Sequence, residues 1–211
     1  MTTLFKRWLR VATWACLVLP SAWGADLPAP VSELPLPANA GITMAYYRNF
    51  FSGSMNHLIQ LVEDRIEPSG TVVLKTFEAR DWSTQTRNTS LSRLYALHLH
   101  GYLAPTEDGA YRLYAHARGQ MRVFLSSDAD EAHAVILPFA AAGENRNDEK
   151  TLYNYAADPV NLRAGQRYFV RVLFIPGWHE RLNILWARQA DDGTMGEPVP
   201  ITAAHLRTTA E

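Results

Sequence analysis

The chain has 211 residues, 20 basic against 21 acidic, a net charge of −1 and a single cysteine. A balance this even leaves no basic surface to track a phosphate backbone, which argues against nucleic acid as a partner. One cysteine rules out a disulfide framework and a cysteine-built zinc site, and the length suits one domain with its own core.

The first stretch, "MTTLFKRWLR", carries Lys6, Arg7 and Arg10 and no acid. The short apolar run "VATWACLVLP" follows, and then a small-residue step at Ala22-Trp23-Gly24. That order predicts a secretory signal peptide over residues 1–24, with the alternative of lipoprotein processing at Cys16. The run is too short to cross a bilayer, so the exported chain is expected in the periplasm or outside the cell with no transmembrane segment. Residues 25–40 hold Pro28, Pro30, Pro35 and Pro37 and read as an extended tether. Residues 41–188 are expected to form one domain. The polar tail, 189–211, is expected to drape over it or fray.

Within the domain, strand signals dominate. "GITMAYY", Thr71–Phe77, Leu94–Leu103, Tyr111–Ala117, Met121–Ser126, Ala134–Phe139, Arg167–Ile175 and Leu182–Arg188 have strand length and are rich in β-branched and aromatic residues. Turn chemistry separates them at "PTEDG", "ARG", "RAGQ" and "PGW". Only "SMNHLIQLVED" shows helical spacing, through Met55, Leu58, Ile59 and Val62. Many short strands with regular turns predict an all-β fold, an antiparallel, jelly-roll-like β-sandwich.

The stretch "GYLAPTEDGAYRLYAHARGQMRVFLSSD" reads as two hairpins in a row. Leu97, Leu99, Leu103, Tyr111, Leu113 and Ala115 share the inward parity. His98, His100, Tyr102, Arg112, Tyr114 and His116 share the outward one. The order of "GITMAYY", "LHLHGYLAPTEDGAYRLYA", "FLSSDADEA", "VNLRAGQRYFVRVLF" and "RLNILW" resembles the protective-antigen fourteen-kilodalton domain family, over almost the whole of residues 41–188. The resemblance implies a β-sandwich that binds carbohydrate or serves in adhesion, usually without catalysis. In sugar-binding members two consecutive aspartates hold a calcium ion that grips sugar hydroxyls. Those two positions fall on Arg118 and Gly119 here, so calcium is not expected.

No nucleophile elbow, zinc-binding His-Glu-x-x-His or phosphate loop is present. Asp128, Asp130, Glu131 and Asp148 offer carboxylates for glycoside hydrolysis, against the plainer reading of solvated loop acids. Asp128, Asp130 and Glu131 in "SSDADEA" are read either as a cation loop or as a turn capped by Asp and Ser side chains. If "PTEDG" closes a hairpin, His98, His100 and His116 share one face and are a weak alternative site for zinc or copper. Trp178 in "IPGWHERLN" stacks on a sugar ring or plugs the end of the sandwich, with His179 beside it. The expectation is therefore an exported, non-catalytic module that recognises a glycan without calcium. His116, Arg118, Gly119, Asp128, Trp178 and His179 form its site. The alternative is a structural or protein-interaction subunit of a cell-envelope or secreted assembly.

Overall fold

The computed structural model describes residues 36–80, 95–142, 153–177 and 181–210. The predicted signal peptide, most of the tether, Asp148, Trp178 and His179 lie outside the described residues. One compact unit, Leu36–Glu211, carries everything that follows.

Two antiparallel sheets face each other, as expected. The front sheet runs in the order β2 (Gly70–Leu74), β1 (Ile42–Arg48), β4 (Tyr95–Leu103), β11 (Tyr168–Pro176), β6 (Gly119–Leu125) and β7 (Val135–Leu137). The back sheet runs β13 (Val199–Pro200), β12 (Arg181–Arg188), β5 (Gly109–Ala117), β9 (Tyr155–Ala157) and β8 (Phe139–Ala141). Three short strands complete the edges. β3 (Glu78–Arg80) pairs with β12, β10 (Val160–Leu162) with β5, and β14 (Leu206–Arg207) with β4.

Period-two alternation builds the core. Ile42 and Met44 of β1, Leu97, Leu99 and Leu103 of β4, and Val170, Val172 and Phe174 of β11 meet Tyr111, Leu113 and Ala115 of β5 across the gap. Leu182, Ile184 and Trp186 of β12 close the same cluster. Trp186 is buried and packs against Tyr111 at 4.8 Å between ring centroids, as its place in the last long strand implied. The inward parity expected for β4 and β5 is therefore correct.

The pairing expected of these two strands is not. β4 belongs to the front sheet and β5 to the back sheet, and β6 returns to the front, so neither turn closes a hairpin. Each turn is a corner at which the chain crosses the sandwich. Ala134–Phe139, expected as one strand, likewise splits at Pro138, with Val135–Leu137 in front and Phe139–Ala141 behind. The tail does not fray either. Ile201 and Leu206 are fully buried, and Leu206 and Arg207 pair with Leu103 and Tyr102.

The predicted helix forms as α1, Met55–Glu63. Met55 and Leu58 bury themselves on Ala96, Leu173 and Ile175, which lie on the outer face of the front sheet. Arg65 closes the helix with φ of 54°, the left-handed conformation common at helix ends, and Ile66 donates back to the Leu61 carbonyl at 2.9 Å. α1 covers only part of the sheet and leaves a cleft beside it.

Candidate functional site

The predicted corner, His116 to Gly119, is where the chain leaves β5 and enters β6. Its backbone is held from three sides. Arg118 N–H donates to the Arg181 carbonyl at 2.8 Å, and Gly177 N–H donates to the Arg118 carbonyl at 2.9 Å. The buried Asn154 side chain accepts from Ala117 N–H at 3.0 Å and donates to the Ala117 carbonyl at 3.1 Å.

Two of the residues expected to bind ligand here are structural. His116 is fully buried, opposite Asn183 of β12, and presents no face to solvent. Gly119 has φ of 152°, and a Cβ built on it would stand 2.2 Å from the Ile175 carbonyl oxygen. The missing side chain therefore admits the neighbouring strand's backbone, not a ligand. Arg118 is partly exposed and is the charged group that the corner keeps.

Asp128 does not join the corner. It follows the far end of β6, a seven-residue strand, which sets it roughly 20 Å from Arg118 at about 3.3 Å per residue. Its carboxylate is spent within its own turn. Oδ1 accepts from Asp130 N–H at 2.8 Å, and Oδ2 meets His133 Nδ1 at 2.8 Å. Asp130 in turn caps the short helical turn Glu131–His133 by accepting from Ala132 N–H at 2.9 Å. Ser126 Oγ donates to the Asp128 carbonyl. "SSDADEA" is thus a turn capped by its own Asp and Ser side chains. The hydrogen bond from Asp130 N–H, and after it the one to His133, hold Asp128 below the usual aspartate range, and the Asp128 hydrogen bond raises His133.

The three-histidine site fails on topology. His98 and His100 lie on the outer face of the front sheet, whereas His116 belongs to the back sheet. Among the described residues, no three histidine, cysteine or carboxylate side chains are placed to hold a metal ion.

The structure brings together a different set. A cleft of about 380 Å³ opens beside α1 on the outer face of the front sheet. Its floor is His98 and His100 of β4 with Phe169 and Arg171 of β11, and its walls carry Glu63, Arg65 and Glu131. The two imidazoles stack at 4.5 Å and 28°. His100 and Arg171 are directly opposed across the β4–β11 ladder. Arg171, 13% exposed, lies over the Phe124 ring at 4.6 Å and makes one contact of 3.3 Å to the 63% exposed Glu131. Burial lowers both histidines, most of all His98, so they are neutral near pH 7. The sequence signal was the pair His98 and His100 at i, i+2 on an outward face. Arg171 gave none, because its place beside them depends on which strands pair.

No family model matches this chain, and no curated protein matches it by sequence. Solved structures do. The A domain of Epithelial Adhesin 9 from Candida glabrata, in complex with Galb1-4GlcNAc, superposes with a TM-score of 0.54 at 12% identity, over 83% of this chain and 93% of that one. The likeness is one of fold. The A domain of Epithelial Adhesin 6 from the same organism, in complex with Galb1-3GlcNAc, gives 0.52 at 13% identity, over 85% and 91%. An anti-sigma factor domain-containing protein from Clostridium clariflavum gives 0.53 at 13% identity, over 87% of this chain and 52% of that one. This chain therefore spans about half the length of that protein. Among the described residues, no helix is long and apolar enough to cross a membrane.

Proposed function

We propose that this chain is an exported, non-catalytic binding module of the protective-antigen-like class that takes up a glycan without calcium. One observation carries the reading. The sandwich has the architecture of adhesin domains solved with disaccharides, and where the sequence resemblance to the protective-antigen-like family leads one to expect a calcium-holding aspartate pair this chain has Arg118 and Gly119, which bring no carboxylate. Without that ion, recognition rests on arginine, imidazole and aromatic side chains, whose planar donors and ring faces suit sugar hydroxyls and acidic substituents.

A second reading, a protein-interaction subunit of an envelope assembly, is favoured by one feature. Among the described residues β7 ends the front sheet with no strand on its outer edge, and Val135 and Ile136 on it are 68% and 51% exposed. Apolar edge strands of this kind pair with other chains. Beside this edge an opening of about 510 Å³ reaches Leu125, Leu137 and Tyr168 between the sheets.

The test is an array of neutral, uronate-bearing and sulfated glycans probed with the purified exported chain, with and without chelator and at rising salt. Binding that survives chelation is expected, strongest on acidic glycans and weakening with salt. Binding abolished by chelator, or an array empty at every glycan class, overturns the reading and favours the second one.

A further inference from the structure

Every residue on the floor of the cleft beside α1 except Phe169 carries a buried polar atom without a hydrogen-bond partner among the described residues: His98 Nε2, His100 Nε2 and Arg171 Nε. An unpartnered buried polar nitrogen costs on the order of 1–3 kcal/mol, so these three nitrogens call for a partner, whether water or a ligand. The volume of about 380 Å³ falls within the range of small-molecule sites.

The chemistry of the set selects the occupant. A neutral imidazole offers one N–H, and a guanidinium offers five in a planar fork. Here Arg171 spends one terminal nitrogen, Nη1, on Glu131 and leaves Nε unused. Glu63 and Arg65 on the walls offset one another, and the donor-rich floor carries the fixed positive charge of Arg171, which favours a carboxylate over a cation. Two stacked imidazoles beside an arginine also make a poor metal site, because the guanidinium repels the ion. Glu131 already shows which group the fork accepts. Its carboxylate reaches Arg171 through a single 3.3 Å contact from an exposed position, and such a pair is weak and easily exchanged.

We propose that this cleft binds a carboxylate-bearing sugar residue, with Arg171 taking the carboxylate and His98 and His100 hydrogen-bonding to it or to neighbouring hydroxyls. Glu131 occupies the fork when the cleft is empty and competes with the incoming acid. The glycan reading supplies the sugar half of this assignment. The carboxylate half stands on the geometry alone.

Titration calorimetry with glucuronate, glucose and acetate as probes tests it on the full exported chain. Glucuronate is expected to bind, glucose to give no heat, and acetate to bind more weakly than glucuronate. Arg171→Gln should weaken glucuronate on the order of tenfold or more, the loss of a charge-assisted hydrogen bond. Glu131→Gln should tighten it by about two- to fivefold, the scale of an exposed ion pair, a gain that misfolding cannot produce. Silence with all three probes overturns the proposal, as does glucose binding equal to glucuronate or weaker binding in Glu131→Gln. Acetate as tight as glucuronate overturns the sugar assignment. An acidic glycan that binds the array through Arg118 while glucuronate ignores Arg171 overturns the cleft and leaves the glycan reading standing.

Discussion

Burial and pairing send the histidines of this chain in opposite directions. His98 is lowered well below the ordinary imidazole value of 6.5, first by burial, then by the charges of His100 and Arg171. His100 is lowered by burial and by Arg171, with Glu131 pulling the other way. His133 is raised, first by its hydrogen bond to Asp128 and then by the charges of Asp128 and Asp130. For the buried pair the folded pKa lies below the unfolded one, so its stability is whole above pH 6.5. That stability is lost as the pH falls from there through the folded value. For His133 the sign reverses. Its contribution is whole below 6.5 and is lost as the pH rises through the raised value, and it is screened because both partners are exposed. An NMR titration of the ring protons should place the His133 midpoint above 6.5 and keep His98 neutral well below it. Asp128→Asn should bring His133 back toward 6.5. A His98 midpoint at or above 6.5 would show that the ring meets water and that the cleft is not built as described.

The element that departs most from its sequence reading is the β5–β6 corner. Alternation alone makes Gly101–Asp128 two hairpins, because period two fixes the face a side chain takes and says nothing of the strand beside it. A corner between sheets keeps the same parity, and Leu97 and Leu113 stay inward in either arrangement. What separates the two is close contact at the crossing. Gly119 lets the β11 backbone approach until no Cβ fits, and Asn154 supplies the hydrogen bonds that the turning backbone at Ala117 requires. Gly119→Ala is accordingly expected to cost at least ~1–3 kcal/mol in urea melts, the range for forcing extra atoms into a packed region. Gly177→Ala is the control. Its Cβ would meet the Arg118 carbonyl oxygen at 3.3 Å, tight without overlap, and the loss should be smaller. Equal effects at the two glycines would mean that the crossing is looser than the geometry states.

At the scale of the whole molecule, the C-terminal tail is the least expected contributor. Its composition is polar, yet Ile201 and Leu206 reach the core, and His205 stands edge-on to Trp186 at 5.0 Å between ring centroids. Gly101 makes room for it, since a Cβ there would lie 2.6 Å from the Arg207 carbonyl oxygen. Removing residues 199–211 exposes the seams beside β4 and β12. Two buried aliphatic side chains are worth roughly 3–6 kcal/mol together. Thermal or urea unfolding of the truncated chain should show a loss of that order. An unchanged midpoint would make the tail the surface drape that its composition suggests.

The sequence by itself determined the long strands, the inward side of β4 and β5, the one amphipathic helix and the burial of Trp186. All of these are local properties, set by side-chain period and by the need to hide apolar area. Only the tertiary structure decided which strands are neighbours. That choice placed His116 on the far sheet from His98 and His100. It filled the space at Gly119 with backbone and brought Arg171 from some seventy residues away in sequence to sit opposite His100. Pairing between distant strands follows from how two twisted sheets close over one core, and no window of sequence contains both partners. The outward histidines were legible one by one. The cleft they form with an arginine and a helix end was not.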